Sequence, residues 1–238
     1  ISYYSLKKLN QETLLFKPSI PKSNALRMVL AFPNTYSVGI TSLGFQIIWA
    51  TLAQRTDVDV RRLFTDQNDK LHRRIDLFGI SLSWELDGPV LLDLLENNKI
   101  PIWSHKRSEE DPIVFGGGQV LTANPEPFAP FLDVILLGDG ENLLPAFIDK
   151  LNELQGISRD EKLKILSQIA GIYVPAFYEP QYNSNKELIA TKAIDSDIPK
   201  QITKQTWKQN TLSHSTVITP ESAWPGIHMV EVVRSCPE

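Results

Sequence analysis

Cysteine is nearly absent from this chain of 238 residues, where Cys236 stands alone close to the carboxyl end. One thiol cannot form an internal disulfide, so no cross-linked framework holds the fold. Long apolar runs are missing as well: none approaches the ~18 residues that would cross a bilayer. Ile1-Ser2-Tyr3-Tyr4 has neither the basic nor the apolar segment of an export signal. A cytoplasmic protein is the default expectation. Positive charge is not in excess, since 24 Lys and Arg against 28 Asp and Glu give a net charge of −4. That argues against a duplex-DNA binder, and no clear nucleic-acid signature is present. The histidines His72, His105, His214 and His228 are scattered without metal-ligand spacing, so no zinc or di-iron site is expected. Neither a G-x-S-x-G elbow nor a Walker loop occurs, and hydrolase and phosphate-loop readings lose their support. There is no internal repeat and no low-complexity tract. What is present, 42% hydrophobic and 22% charged residues, is the balance of an ordinary globular protein. The chain opens on Ile1 instead of Met, so some sequence before it is expected to have been trimmed.

The organising stretch runs from Pro112 to Leu144. Two short apolar segments, Ile113-Val114-Phe115 and Val134-Ile135-Leu136-Leu137, each enter a glycine loop, Gly116-Gly117-Gly118 and Gly138-Asp139-Gly140-Glu141. Apolar runs too short for helices and stopped by glycine read as buried strands. Their loops then fall at the carboxyl edge, where open parallel sheets bind ligands. The second loop opens a helical pattern with Leu144, Phe147, Ile148 and Leu151 on one face. Three consecutive glycines favour close approach of a ligand to the backbone over a plain tight turn. Asp139 and Glu141 suit a helix amino end and would repel a pyrophosphate, so the partial dinucleotide fingerprint is set aside.

Around this stretch the chain alternates. Ile1 to Ala25 reads as a short amphipathic helix, carrying Leu6 and Leu9, and then an extended arm ended by Pro18 and Pro21. Strands are expected over Met28–Phe32, Val58–Leu63 (near an edge), Leu77–Leu82 (in the middle) and, as a short extra one, Ile100–Trp103. A helix capped by Thr41 or Ser42 is apolar almost all round, through Leu43, Phe45, Ile47, Ile48, Trp49 and Leu52, so something must cover its second face. Asp87-Gly88-Pro89 starts another helix, with Val90, Leu91, Leu94 and Leu95 buried. Ser158 to Glu161 is a capping box for a helix whose stripe is Leu163, Leu166, Ile169 and Ala170 and whose end is Gly171. Tyr178–Tyr182 and Glu187–Ala193 form a hairpin, Asp195–Ser215 a linker or strap, and Ile227–Arg234 a last strand. Ser81 and Ser83 bring hydroxyls to the glycine edge, although strand-end capping accounts for them nearly as well.

Two features carry a family resemblance. Val230-Glu231-Val232-Val233-Arg234-Ser235-Cys236-Pro237 resembles the first strand and first cluster cysteine of radical S-adenosylmethionine enzymes, whose motif is CxxxCxxC. The chain stops before the other two cysteines, and Cys236 would be the first metal ligand. Ahead of it, the sheet with its loops resembles the cobalamin-binding domain that precedes the radical domain in one branch of that superfamily. Its signature D-x-H-x-x-G, S-x-L, G-G corresponds here to Asn34-Thr35-Tyr36-Ser37-Val38-Gly39, Ser81-Leu82-Ser83 and the intact glycine run. Tyr36 replaces the axial histidine. A phenol is a poor cobalt ligand at neutral pH, so cobalamin without histidine ligation and a domain that binds no corrin are the two alternatives.

The resemblance implies an α/β fold, flavodoxin-like (Rossmann-like) and doubly wound, with a mostly parallel five-stranded sheet of order 2-1-3-4-5 and a C-terminal helix, hairpin and strap. The expected divisions are 1–26 (helix and arm), 27–156 (cobalamin-binding-like domain), 157–226 (helix, hairpin and linker) and 227–238 (start of a truncated radical domain). Cofactor-facing residues would be Asn34, Tyr36, Gly39, Ser81, Ser83, Gly116, Gly117, Gly118, Gly138, Gly140 and Glu141. The slot between the Asn34 to Gly39 loop and the three glycines would take the corrin's nucleotide tail. A 4Fe-4S cluster and S-adenosylmethionine belong to the intact protein, and the partner is its own missing radical domain. The fragment is not expected to be catalytic. A docking domain without corrin is the rival, and a flavin-binding domain of the same fold is third.

Overall fold

The computed structural model describes residues 11–208 and 212–234. The helix expected around Leu6 and Leu9, and Cys236, lie outside the described residues. Six strands form the main sheet: β2 (Leu26–Ala31), β3 (Val58–Leu63), β4 (Leu77–Ser81), β5 (Ile113–Gly117), β6 (Val134–Leu136) and β7 (Ile172–Tyr173). Their order is β3-β2-β4-β5-β6-β7. The first five follow the order expected for a doubly wound fold, and β7 adds a sixth strand, antiparallel to β6. The sheet is mostly parallel, and this is a flavodoxin-like α/β architecture. By internal contacts the chain divides into two compact units, one of residues up to Ser81 with those from Lys208 onward, the other of Leu82–Trp207.

In the first unit β2 is buried along Met28 to Ala31, as its unbroken apolar run requires, and pairs in parallel with β3 and β4. A single helical turn, α1 (Tyr36–Gly39), occupies what the sequence presents as a loop. Helix α2 (Leu43–Ala53) begins at Ser42, whose hydroxyl accepts the Phe45 amide at 3.4 Å. One face of α2 sets Phe45 edge-on against Phe32 and Phe64, with ring centroids 5.5 and 5.3 Å apart. Its second face is covered, as its all-round apolar character demands. Phe16 of the amino-terminal arm stacks edge-on against Trp49 at 5.2 Å. The short strands β1 (Thr13–Leu14) and β10 (Val217–Ile218) pair antiparallel. Gln46 ties this layer down: its Oε1 accepts the Thr216 and Val217 amides at 2.8 and 3.0 Å, and its own amide donates to the Ile40 carbonyl at 2.6 Å.

In the second unit β5 and β6 run parallel, with Gly117 beside Leu136. Around them lie α3 (Gly88–Asn97), α4 (Gln119–Ala123), α5 (Gly140–Glu153) and α6 (Arg159–Leu166). The expected stripe of α5 is buried through Leu144, Phe147, Ile148 and Leu151. At the amino ends of the strands the buried Asp133 accepts from the Val114 amide at 2.7 Å and from Arg159 at 2.6 Å, and pairs as an ion with Arg107 at 3.0 Å. Burial lowers the pKa of Arg107, and Asp133 opposes that shift. Strands β8 (Tyr178–Tyr182) and β9 (Leu188–Ala193) form the expected hairpin.

Three local expectations are overturned. Ile100–Trp103 is not a strand, because Pro101 has no donor and the Pro101 and Ile102 carbonyls accept from the Arg107 guanidinium at 3.0 and 3.1 Å. Helix α6 ends at Leu166, short of Gly171, and Ile169 and Ala170 leave the buried stripe. Gly171 instead takes a φ of +87° at the entry to β7. Among the described residues Ile227–Arg234 forms no ladder: Ser213 to Ser215 lies beside it, with an isolated bridge between His214 and Val230.

Removing the Gln46 amide leaves two buried backbone donors without an acceptor, at about 1–3 kcal/mol each. Gln46→Ala is therefore expected to lose about 3 kcal/mol of stability, read as a lowered urea midpoint.

Candidate cofactor-facing site

The expected site residues divide between the two units. Asn34, Tyr36, Gly39 and Ser81 belong to the first, and Ser83, Gly116, Gly117, Gly118, Gly138, Gly140 and Glu141 to the second. In the first unit, Asn34 folds its own loop: its Oδ1 accepts the Thr35 amide at 2.8 Å and its carbonyl accepts the Thr65 amide at 3.0 Å. Gly39 is there for packing. A Cβ on it would stand 2.6 Å from the Phe64 ring and 2.9 Å from Phe32. Ser81 ends β4 half-buried.

Tyr36 is 6% exposed, and its phenol is engaged inside the domain. The hydroxyl donates to Glu12 Oε1 at 2.5 Å, and the backbone amide donates to Asp66 at 2.7 Å. Burial raises the phenol's pKa well above the usual tyrosine range, and the neighbouring Glu12 carboxylate adds to the rise. Tyr36 is therefore a hydrogen-bond donor whose oxygen is already engaged.

In the second unit both glycine loops follow the carboxyl ends of neighbouring parallel strands, β5 and β6, and so share one edge. The three glycines after β5 have three different jobs. Gly116 is core, since a Cβ there would meet the Leu121 and Leu132 side chains at 2.6 and 2.8 Å. Gly118 has a φ of +117°, and its Cβ would lie 2.4 Å from the Leu82 carbonyl oxygen. Gly117 alone has room: nothing lies nearer to its Cβ position than Leu136, at 3.8 Å. Its carbonyl accepts the Leu82 amide at 2.9 Å, next to the exposed Ser83.

Around the second loop the chain uses its own backbone. Residues near Gln205 run beside Leu137 to Asp139: the Gln205 amide donates to the Leu137 carbonyl at 2.9 Å, and the Asp139 amide donates to the Gln205 carbonyl at 2.8 Å. The Asp139 carboxylate accepts the Trp207 amide at 2.7 Å. Gly138, with a φ of +112°, needs its missing Cβ for this strap, because that atom would fall 2.0 Å from the Gln205 oxygen. The Gly138 amide is also taken, donating to Thr122 Oγ1 of α4 at 3.0 Å. Gly140 is the first residue of α5, and Glu141 lies in its first turn, where the helix dipole favours an acid. The Gly138 and Asp139 amides thus go to Thr122 and to the strap.

Sequence reasoning missed α4 and the contact between strap and loop. The breaker pair Asn124-Pro125 was a signal that a short helix ends there. No periodicity marks the strap's partner. Trp84 and Leu86, just after Ser83, are 61% and 76% exposed. Among the described residues no three His, Cys, Asp or Glu side chains stand close enough to hold a metal ion, and no helix is long and apolar enough to cross a membrane.

A doubly wound, mostly parallel sheet with two glycine loops at one carboxyl edge defines the class of flavodoxin-like α/β domains. Residues 47–175, more than half of the chain, match the family model described as radical SAM proteins, N-terminal, where SAM is S-adenosylmethionine. The chain belongs to that family. An uncharacterised protein of Methanocaldococcus jannaschii, MJ0966, is 24% identical over 136 residues, which cover 55% of this chain and 28% of that protein. Among solved structures, the cobalamin-dependent S-adenosylmethionine radical enzyme OxsB, with aqua-cobalamin and S-adenosylmethionine bound, superposes with a TM-score of 0.40 at 16% identity, covering 73% of this chain and 24% of OxsB. At that score the likeness carries no argument about a ligand here. The chain spans about a quarter of the length of these relatives.

Gly138→Ala is expected to cost about 3 kcal/mol, from a strained φ and a collision with backbone that cannot rotate away. Gly117→Ala should stay within about 1 kcal/mol of wild type. Thermal denaturation of the two variants side by side checks the contrast.

Proposed function

We propose that this chain is the cobalamin-facing N-terminal domain of a radical S-adenosylmethionine enzyme, that it holds the corrin without a protein ligand on cobalt, and that it is not catalytic by itself. The observation that carries this reading is Gly117: in a chain of this family, a glycine at the carboxyl end of a central parallel strand whose missing Cβ no packing requires, since the nearest atoms, of Leu136, would lie at ordinary contact distance. A large planar ligand needs backbone that it can approach without a Cβ in the way. The donor set fits a corrin free of axial protein ligation, because the Tyr36 oxygen is bonded to Glu12. It does not fit histidine-on coordination.

Within this reading Gly117 offers a peptide face, Ser83 an exposed hydroxyl, and Gly118 and Leu82 fix the turn between them. Gly138 and Asp139 serve the strap and so support the site from behind. Cys236 would be the first of three thiolates around a 4Fe-4S cluster in the intact protein, where that cluster and S-adenosylmethionine supply the radical chemistry. A reducing compartment such as the cytoplasm suits such a thiolate. The partner is the protein's own radical domain.

A second reading is favoured by a separate observation. Trp84 and Leu86 stand exposed on the turn after β4, as they would on a surface that packs against another domain without any corrin.

Titration of purified protein with hydroxocobalamin separates the two. On the cobalamin reading, wild type acquires a bound visible spectrum and Gly117→Val loses at least about tenfold in affinity while keeping its fold; a tenfold loss corresponds to ~1.4 kcal/mol. Tyr36→Phe should change affinity less. No binding by the wild type, or equal affinity in the glycine variant, would leave docking as the function. The same preparation is expected to carry no stoichiometric iron, because one cysteine cannot hold a cluster.

A further inference from the structure

The most enclosed charged cluster in the first unit lies outside the glycine site and is built from segments distant in sequence. Arg62, on edge strand β3, is 3% exposed at its side chain, and so is its partner Glu12 on the amino-terminal arm. The pair is bidentate: Nη1 donates to Glu12 Oε1 at 2.7 Å and Nη2 to Oε2 at 3.0 Å. Asp69 accepts the Arg62 backbone amide at 2.8 Å and its Nε at 3.3 Å. The guanidinium carbon also lies 4.1 Å above the Trp49 ring. Glu12 Oε1 is shared, since it is also the acceptor of the Tyr36 phenol. Next to it the Ala223 amide donates to the Ser37 carbonyl at 2.8 Å.

Two pieces of chain therefore meet Arg62 at one carboxylate, the arm and the turn α1, and the segment that follows β10 rests on that turn through Ala223. The arm is held by two residue pairs with β10, the Leu15 amide to the Thr216 carbonyl and, further on, the Ser19 and Lys22 amides to the Ala53 and Thr56 carbonyls. The turn has only four residues, and isolated turns of that length do not hold themselves. An ionised carboxylate buried this deeply stays only while its donors do.

We propose that Glu12 is a positioning residue for the loop Asn34 to Gly39: through the oxygen it shares between Arg62 and Tyr36, it makes docking of the amino-terminal arm a condition for that loop to hold its shape. When the arm is seated, Tyr36 is drawn down onto Glu12 and the loop takes the α1 turn. When the arm is displaced, the phenol loses its acceptor and the loop loosens, together with the contact from Ala223. Whatever the loop touches, it touches only with the arm in place. The coupling does not depend on whether a corrin is bound, so it stands or falls separately from the cobalamin reading.

Hydrogen exchange followed by mass spectrometry on the full chain tests the coupling, with peptides covering residues 13–17 (arm), 35–41 (loop) and 27–31 (the β2 control). Glu12→Gln removes the charge and turns an amide NH2 toward Arg62, so exchange should rise about tenfold or more in both arm and loop while β2 stays protected. Tyr36→Phe should raise exchange in the loop and leave the arm as it was. The double variant should be no faster in the loop than Glu12→Gln alone, because both changes cut one shared bond. Additive effects, or a Glu12→Gln arm that loosens over an unchanged loop, would show two independent anchors and overturn the proposal. If Glu12→Gln also exposes β2, the chain has unfolded, and Tyr36→Phe alone decides: a rise confined to residues 35–41 supports the coupling, and no rise overturns it.

Discussion

A guanidinium taken out of water has to bring its carboxylate with it, and each unit of this protein is arranged around one such requirement. In the first unit the demand of Arg62 draws in Glu12 from far away in the chain, with Asp69 completing the shell. In the second, Asp133 must answer to both Arg107 and Arg159. Neither group is worth much as a net source of stability, because desolvation offsets most of the attraction. Their importance is in what they forbid. An arm, a turn or a helix start that moved away would leave a buried charge alone, and that state is expensive enough to be rarely visited. Apolar burial makes the sheet compact, whereas these ion pairs decide which peripheral segments lie against it and in what register.

That division of labour explains what could be read in advance. The strands β2, β4, β5 and β6 and the helices α2, α3 and α5 announce themselves through local patterns: unbroken apolar runs, a capping serine, an Asp-Gly-Pro start, an i, i+3, i+4, i+7 stripe. The antiparallel strand β7 has two residues and no such pattern. The carbonyls of Pro101 and Ile102 are claimed by an arginine several residues further on, so a run that looks extended and apolar does not join the sheet. The segment Ile227–Arg234 alternates like a strand yet joins no ladder among the described residues, since alternation gives a strand its faces and says nothing about its neighbours.

The candidate site was legible in outline and not in assignment. Which edge carries the glycines follows from where the apolar runs stop. Which glycine has room for a side chain does not, because Gly116, Gly117 and Gly118 are identical in sequence and differ only in what stands opposite: the Leu121 and Leu132 side chains, Leu136 at ordinary contact distance, and the Leu82 carbonyl. The partner of the Tyr36 phenol, Glu12, lies in an arm that no motif connects to it. A glycine-rich signature therefore marks close approach of something to the backbone and leaves open whether the visitor is a ligand or the chain itself.

At Gly138 the visitor is the chain. The strap around Gln205 lies against that glycine as an edge strand would, but it is tethered through the hairpin to the same domain. A tether of this kind keeps its end at an effective concentration on the order of millimolar. Any free molecule seeking the same backbone groups must first outcompete a neighbour that cannot diffuse away. The strap thus holds the Leu137 carbonyl and the Asp139 amide against any freely diffusing competitor.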